Sequence, residues 1–167
     1  MAKTLPARPV RSKVPVPAAF ESLDRTHRQV LENLARLTSL VERVEELGID
    51  DVARQLANDI RSFFEDSARP HHEAEEQTVF PPLLASSDAA LVQHVRRLQQ
   101  DHGWIEEDWR ELAPQLQAIA DGHSGYDIDY LHAAIPVFTE LYREHITLEE
   151  TIVYPASRRQ QSGMRRS

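Results

Sequence analysis

Apolar residues recur three and four places apart along most of this chain, and the polar residues that interrupt them fall in the same slots. From Phe20 the series runs through Leu23, Val30, Leu34, Leu37, Val41 and Val44, the spacing of one buried helical face, with His27 in its one polar slot. Pro15 and Pro17 precede this run and Gly48 follows it, so a helix is predicted over roughly residues 18–46. A second series begins near Asp50 and Asp51 and places Phe64, Ala68, His71, Glu75 and Val79 on one face. Pro81-Pro82 should end it, and Pro70 predicts a kink just before His71.

Ser86-Ser87-Asp88 supplies N-cap chemistry for a third helix. Its inner slots read Leu91, Val95, Leu98, Ile105, Trp109, Leu112, Leu116 and Ile119, with His102 the polar member. Asp121-Gly122-His123-Ser124-Gly125 reads as a turn. A fourth helix from near Asp127 puts Leu131, Phe138, His145 and Ile152 on a seven-residue seam flanked by Leu141, Leu148 and Glu149. Pro114 and Pro136 interrupt the last two helices and predict bends. No strand pattern competes.

Four long helices joined by short links predict an all-α chain, an up-down-up-down antiparallel four-helix bundle. Each helix then holds one histidine inside, which is unfavourable unless something pairs with it. His27 precedes His71 by 44 residues and His102 precedes His145 by 43. At about 1.5 Å of rise per residue, antiparallel neighbours bring all four histidines to a similar height.

Two of these histidines open a repeated block. His71-His72-Glu73-Ala74-Glu75-Glu76-Gln77-Thr78-Val79-Phe80-Pro81 and His145-Ile146-Thr147-Leu148-Glu149-Glu150-Thr151-Ile152-Val153-Tyr154-Pro155 share a histidine, two following carboxylates, then valine, an aromatic and proline. Residues four apart lie on one helix face, so His71 with Glu75, and His145 with Glu149, each deliver a nitrogen and an oxygen to one point. His27 and His102 raise the set to six donors. Nitrogen and oxygen without sulfur match divalent iron, manganese or zinc and argue against copper(I) or iron–sulfur chemistry. The set suits two metals bridged by carboxylates with positions open for a small molecule, and one mononuclear ion also fits. A closed structural zinc site would need only four ligands.

Composition narrows the surroundings of this site. The length of 167 residues suits a single domain. Residues 1–17 hold four basic residues, four prolines and no acid, and residues 158–167 hold four arginines and no acid. Both read as flexible basic tails around a domain over 18–157, solubilising rather than phosphate- or lipid-binding. Between them 11 basic residues face all 27 acidic ones, which disfavours a nucleic-acid-binding face. The chain has no cysteine, hence no disulfide or thiolate chemistry. No apolar run is long enough for a membrane span, and the basic N-terminus lacks a secretory core. The cytoplasm is the expected location.

These residues carry a resemblance to hemerythrin-like (HHE cation-binding) domains. The Leu23-Asp24-Arg25-Thr26-His27 opening, the two HxxxEExxx(F/Y)P blocks and the Asp101-His102 element all match, over about residues 18–157. The resemblance implies a hemerythrin-like bundle with two non-haem iron ions, carboxylate-bridged and able to share an oxo bridge, held by His27, His71, Glu75, His102, His145 and Glu149. Zinc or manganese could substitute. Oxygen-carrying members have a second histidine four residues before the one on the third helix, where this chain has Leu98. The departure leaves a symmetric set of four histidines and weakens the expectation of reversible oxygen carriage. Some relatives place the last acid at the position of Glu150, but internal symmetry favours Glu149.

The implied function is to bind or sense dioxygen, or a related small molecule such as NO or peroxide, without turnover. The alternatives are a di-iron enzyme acting on peroxide or NO or in iron–sulfur repair, and an iron storage or buffering module suited to the acidic core. Repair-type relatives often carry a cysteine-bearing N-terminal domain, for which this chain has neither the length nor the cysteine. Any protein partner would be a separate chain.

The remaining chemistry-bearing residues read more plainly. His72 lies about 100° round the helix from His71, which makes it a surface or boundary residue with an extra ligand as the alternative. His94, His123 and His132 fall off the seam. Glu76 and Glu150 read as supporting or solvent groups rather than bridges. Trp104, Trp109 and Tyr130 read as packing residues. Tyr142, three residues before His145, is the tyrosine that could aim its hydroxyl at the metals.

Overall fold

The computed structural model describes residues 16–166, and side chains from Ala19 onward. The predicted N-terminal tail lies outside the described residues except for its last two, which begin the first helix. The described residues are helical with no strand. Helix α1 spans Val16–Leu47 without interruption and buries Val30, Leu34, Leu37, Leu40, Val41 and Val44 in one stripe with His27. Gly48, at φ 72°, turns the chain out of it, a left-handed conformation that costs a residue without Cβ nothing.

Asp50 caps α2 (Asp51–Phe63), accepting from the Ala53 N–H at 2.8 Å while Arg43 of α1 donates to it at 2.6 and 3.0 Å. A π turn, Phe64–Ala68, leads to α3 (Arg69–Ala74), and a second, Glu75–Val79, leads to α4 (Phe80–Leu84). Asp88 caps α5 (Ala89–Ala120), and Asp127 caps α6 (Ile128–Leu148). A third π turn, Glu149–Val153, joins α6 to α7 (Tyr154–Met164). With α2–α4 and α6–α7 each read as one interrupted helix, the described residues form four helices. α1 packs against α2 and α6, and α5 packs against α2, α4 and α6.

The prolines explain the widened turns. Each π turn is followed, two residues after its end, by a proline: Pro70, Pro81 and Pro155. A proline ring collides with the carbonyl four residues back, here that of Asp66, Gln77 or Thr151, and cannot donate to it. A turn closed five residues back moves that carbonyl aside, as the bonds of Arg69, Phe80 and Tyr154 to Phe64, Glu75 and Glu149 do. Helical structure therefore continues through Pro81-Pro82 to Leu84, where the sequence predicted a stop. The kink expected from Pro70 takes the form of the turn preceding it.

The extra residue also shifts the buried face. Ile152, expected on the fourth seam, is 37% exposed, while Val153 and Tyr154 are fully buried in its place. Trp104 is likewise exposed, whereas Trp109 is in the core. Residues 158–164, expected in a tail, continue α7. Arg158 pairs with Asp24 at 3.2 Å and lies 4.7 Å over the Phe20 ring. No helix among the described residues is long and apolar enough to cross a membrane.

The apolar core comes in two parts. The larger holds Leu34, Leu37, Ile60, Phe64, Trp109, Leu112 and Phe138 among others. The smaller holds Phe20, Val79, Phe80, Leu83, Leu98, Val153 and Tyr154. The buried polar side chains His27, His71, Glu75, His102, His145 and Glu149 lie where each helix passes from one set to the other, with Ile146 of the larger set between His145 and Glu149. Such a polar layer weakens a bundle unless its atoms are satisfied.

Candidate metal centre

His27 comes from α1, His71 from α3, His102 from α5 and His145 from α6, while Glu75 and Glu149 are the first residues of two π turns. The structure brings all six together. Glu75 Oε1 lies 3.2 Å from His71 Nε2, and its Oε2 lies 3.2 Å from His102 Nε2. Glu149 Oε2 lies 3.0 Å from His27 Nε2, and its Oε1 lies 3.0 Å from His145 Nε2. The donors thus divide into a His27/His71 half and a His102/His145 half, with both carboxylates reaching each half.

Carboxylates stand behind three of the rings. His27 Nδ1–H donates to Glu150 at 3.0 Å, His102 Nδ1–H donates to Glu76 at 2.8 Å, and His145 Nδ1 lies 3.6 Å from Asp101. Such partners fix the ring and turn the Nε2 lone pair toward the centre. Glu76 and Glu150 thus sit where the sequence pattern placed them, beside histidines rather than between the halves. Gln99 and Arg97 in turn hold Glu76 and Asp101, each at 2.8 Å. Burial works against ionisation of Asp101, but His145 and Arg97 outweigh it and hold its carboxyl below the ordinary value.

The two central carboxyls differ electrically. Burial and then the Glu75 charge push Glu149 well above the ordinary carboxylate range. Burial pushes Glu75 the same way, but the imidazoles of His102 and His71 outweigh it and hold Glu75 low. Two carboxylates this close cannot both stay ionised in an apolar interior without a cation.

The donor set fits a cation. Glu75 Oε2, both Glu149 oxygens and the Nε2 atoms of His71, His102 and His145 are buried without a hydrogen-bond partner. Buried polar atoms are almost always partnered. Here the atoms point at one another with spacing and chemistry suited to metal coordination, four nitrogens and four carboxylate oxygens without sulfur.

Two further side chains reach this centre, and they make the halves unequal. His72, half-buried, stacks on His102 with ring centroids 4.2 Å apart and joins Glu75, His102 and His145 in one group of converging donors. Burial first, and then His102, push its pKa well down, so it is the neutral imidazole that metals bind. Tyr154 is fully buried. Its hydroxyl donates to Glu75 Oε1 and lies 3.2 Å from His27 Nε2. Burial, then the charges of Glu149 and Glu75, push this hydroxyl far up, so it acts as a donor. Helical-wheel spacing disfavoured His72, and Tyr154 passed as the aromatic of the repeat. The doubled histidine and the Phe80/Tyr154 difference between the blocks were the available signals.

Tyr142, the tyrosine singled out by sequence, is also buried, and burial, then the charges of Glu149 and Glu75, push its hydroxyl up. The Tyr142 ring packs on Phe138 and Phe64 at 5.2 and 5.9 Å and stacks near His72 at 5.7 Å. Leu98 is wholly buried in the smaller apolar cluster. His132 pairs with Glu45 at the surface at 2.7 Å, and His123 is exposed in its turn.

Comparison with known proteins agrees with this geometry: residues 18–157 match the hemerythrin HHE cation binding domain. The chain belongs to that family. An uncharacterized protein of Haemophilus influenzae is similar to this hemerythrin HHE domain, 28% identical over 133 residues that cover 80% of this chain and 75% of the relative. No solved structure matches. Cation binding is thus the family's property, and the buried His/Glu cluster of this HHE domain is where a cation fits.

Proposed function

We propose that the chain is a non-haem di-iron protein that binds or senses dioxygen or a related small molecule such as NO or peroxide. One iron would be held by His27, His71 and one oxygen each of Glu75 and Glu149. The other would be held by His102, His145 and the remaining two oxygens, with His72 as a further nitrogen. The observation that carries this reading is the pair of carboxylates that each face histidines of both halves, with their oxygens buried and largely unpartnered. Iron would supply reversible redox chemistry and open coordination positions. The chain's own residues orient the imidazoles through Glu76, Glu150 and Asp101 and exclude water with the apolar layers on either side. The same reading takes the bundle as up-down-up-down. Arg36 with Asp59, His132 with Glu45 and Arg54 with the Ala120 carbonyl pair neighbouring helices in antiparallel order, which supports it.

A surface groove of about 510 Å³ runs beside His72 and His102, lined also by Arg69, Glu73, Glu76 and Glu106. It offers small molecules or ions a way toward the centre. Glu106 is paired there with Arg69 and Glu76 with His102 and Gln99, and the remaining acidic excess supports iron buffering as the second reading.

The test is metal analysis after anaerobic loading with ferrous ion, with absorption spectra recorded before and after dioxygen or NO. Two irons per chain and a spectrum that changes on exposure to either gas are expected. One ion or none would overturn the di-iron reading. Two irons indifferent to either gas would favour buffering, and steady peroxide or NO consumption lost in Glu75→Ala would favour an enzyme.

A further inference from the structure

We propose that Tyr154 is a direct donor to the iron of the His27/His71 half, binding as a phenolate; this rests on the di-iron reading above. Three observations carry it.

The first is position. The Tyr154 oxygen lies within hydrogen-bonding distance of Glu75 Oε1 and 3.2 Å from His27 Nε2. Those same two atoms face His71 Nε2 at 3.2 Å and Glu149 Oε2 at 3.0 Å. Donor atoms about 2.1 Å from one ion and at right angles to each other lie about 3 Å apart. The phenol oxygen therefore stands among the donors of that half as a fifth member of the set.

The second is the broken repeat. Phe80 and Tyr154 occupy the same place in the two blocks, and both are fully buried. Each stacks on a histidine of a different half: Phe80 on His102 with centroids 5.5 Å apart, Tyr154 on His27 at 5.4 Å. Phenylalanine already does the packing at this position. The extra hydroxyl must lose its hydration to be buried, and it is aimed at the centre rather than at a backbone group.

The third is the asymmetry it completes. The His102/His145 half has His72 as its added donor, and Tyr154 is the corresponding addition on the other half. Binding breaks the phenol O–H bond, forms an oxygen–iron bond and releases the proton to solvent with no change of oxidation state. A nearby cation stabilises the phenolate that the surrounding carboxylates disfavour.

The full chain is loaded with two equivalents of ferrous ion, oxidised in air, and read by iron analysis, visible absorption and resonance Raman. The expected result is a visible phenolate-to-iron charge-transfer band whose Raman spectrum shows tyrosine ring modes that shift with ring-deuterated tyrosine. These modes should vanish in Tyr154→Phe and persist in Tyr142→Phe. Two bound irons without tyrosinate modes, or modes that survive Tyr154→Phe, overturn the proposal and leave the di-iron reading intact. Wild-type chain that binds no iron overturns both. Should Tyr154→Phe fail to fold, the isotope shift in the wild type and its fate in Tyr142→Phe decide between the two tyrosines: persistence of the modes in Tyr142→Phe supports Tyr154, and their loss overturns the assignment.

Discussion

Glu75 and Glu149 are equivalents in the repeated block, and each splits its two oxygens between the halves of the centre. Glu75 faces His71 and His102 at 3.2 Å each, and Glu149 faces His27 and His145 at 3.0 Å each. Glu75 thereby links the second helical run to α5, and Glu149 links α1 to α6. Each of the four helical runs thus presents a donor atom to the centre.

On the proposed metal-binding reading, removing the metal should loosen the whole bundle. Six buried polar groups would be left repelling or unsatisfied. A ligand at a thousand times its dissociation constant contributes about 4 kcal/mol. At about 2–4 °C per kcal/mol for a domain of this size, the Tm should fall by roughly 10 °C. Calorimetry before and after chelation checks it, and equal melting temperatures after verified metal removal would contradict it.

On the proposed di-iron reading, His72→Ala should weaken one ion and spare the other. His72 stacks on His102 and converges with His145 and Glu75, whereas the His27/His71 half has its own donors. Iron titration against a coloured chelator should show one affinity reduced at least about tenfold. Two unchanged affinities would make His72 a packing residue.

Phe138→Ala tests the apolar layer apart from the metal. Phe138 is buried against Tyr142, Phe64 and Trp109, with centroids 5.2, 5.5 and 6.2 Å away. Its truncation should cost about 3–5 kcal/mol in urea unfolding while iron stoichiometry stays at the wild-type value. A loss below about 1 kcal/mol would mean that the cavity collapses freely.

The α2 cap gives a pH dependence with a defined sign. Arg43 first, and then the Ala53 N–H, hold the Asp50 carboxyl down at about 2, below its ordinary 3.8. A depressed carboxyl contributes stability that is fully present above its unfolded value and lost as pH falls through the folded one. Asp50→Asn keeps the capping acceptor but removes the charge. Its deficit against wild type should be full above pH 3.8 and disappear toward pH 2. A deficit independent of pH would assign the effect to capping geometry.

Four helices, the cap at Asp88, the helix starts near Asp50 and Asp127, and the convergence of His27, His71, Glu75, His102, His145 and Glu149 could be read from spacing. Those features repeat with the 3.6-residue period and depend on local chemistry, which a linear pattern records. The π turns could not be read that way, because a proline permits a break, a widened turn or, as at Pro114 and Pro136 inside α5 and α6, an α-helix that runs on, and packing selects among them. That choice moved Val153 and Tyr154 inward, left Ile152 outside and carried the helices past Pro81 and Pro155.

By itself, then, the sequence determined the all-helical architecture and the nitrogen and oxygen character of the centre, since both follow from residue type and period. Only tertiary structure decided which atoms meet. It set His72 beside His102 and the Tyr154 hydroxyl between Glu75 and His27, because small changes in helix phase, invisible along the chain, are fixed by what the neighbouring helices leave room for.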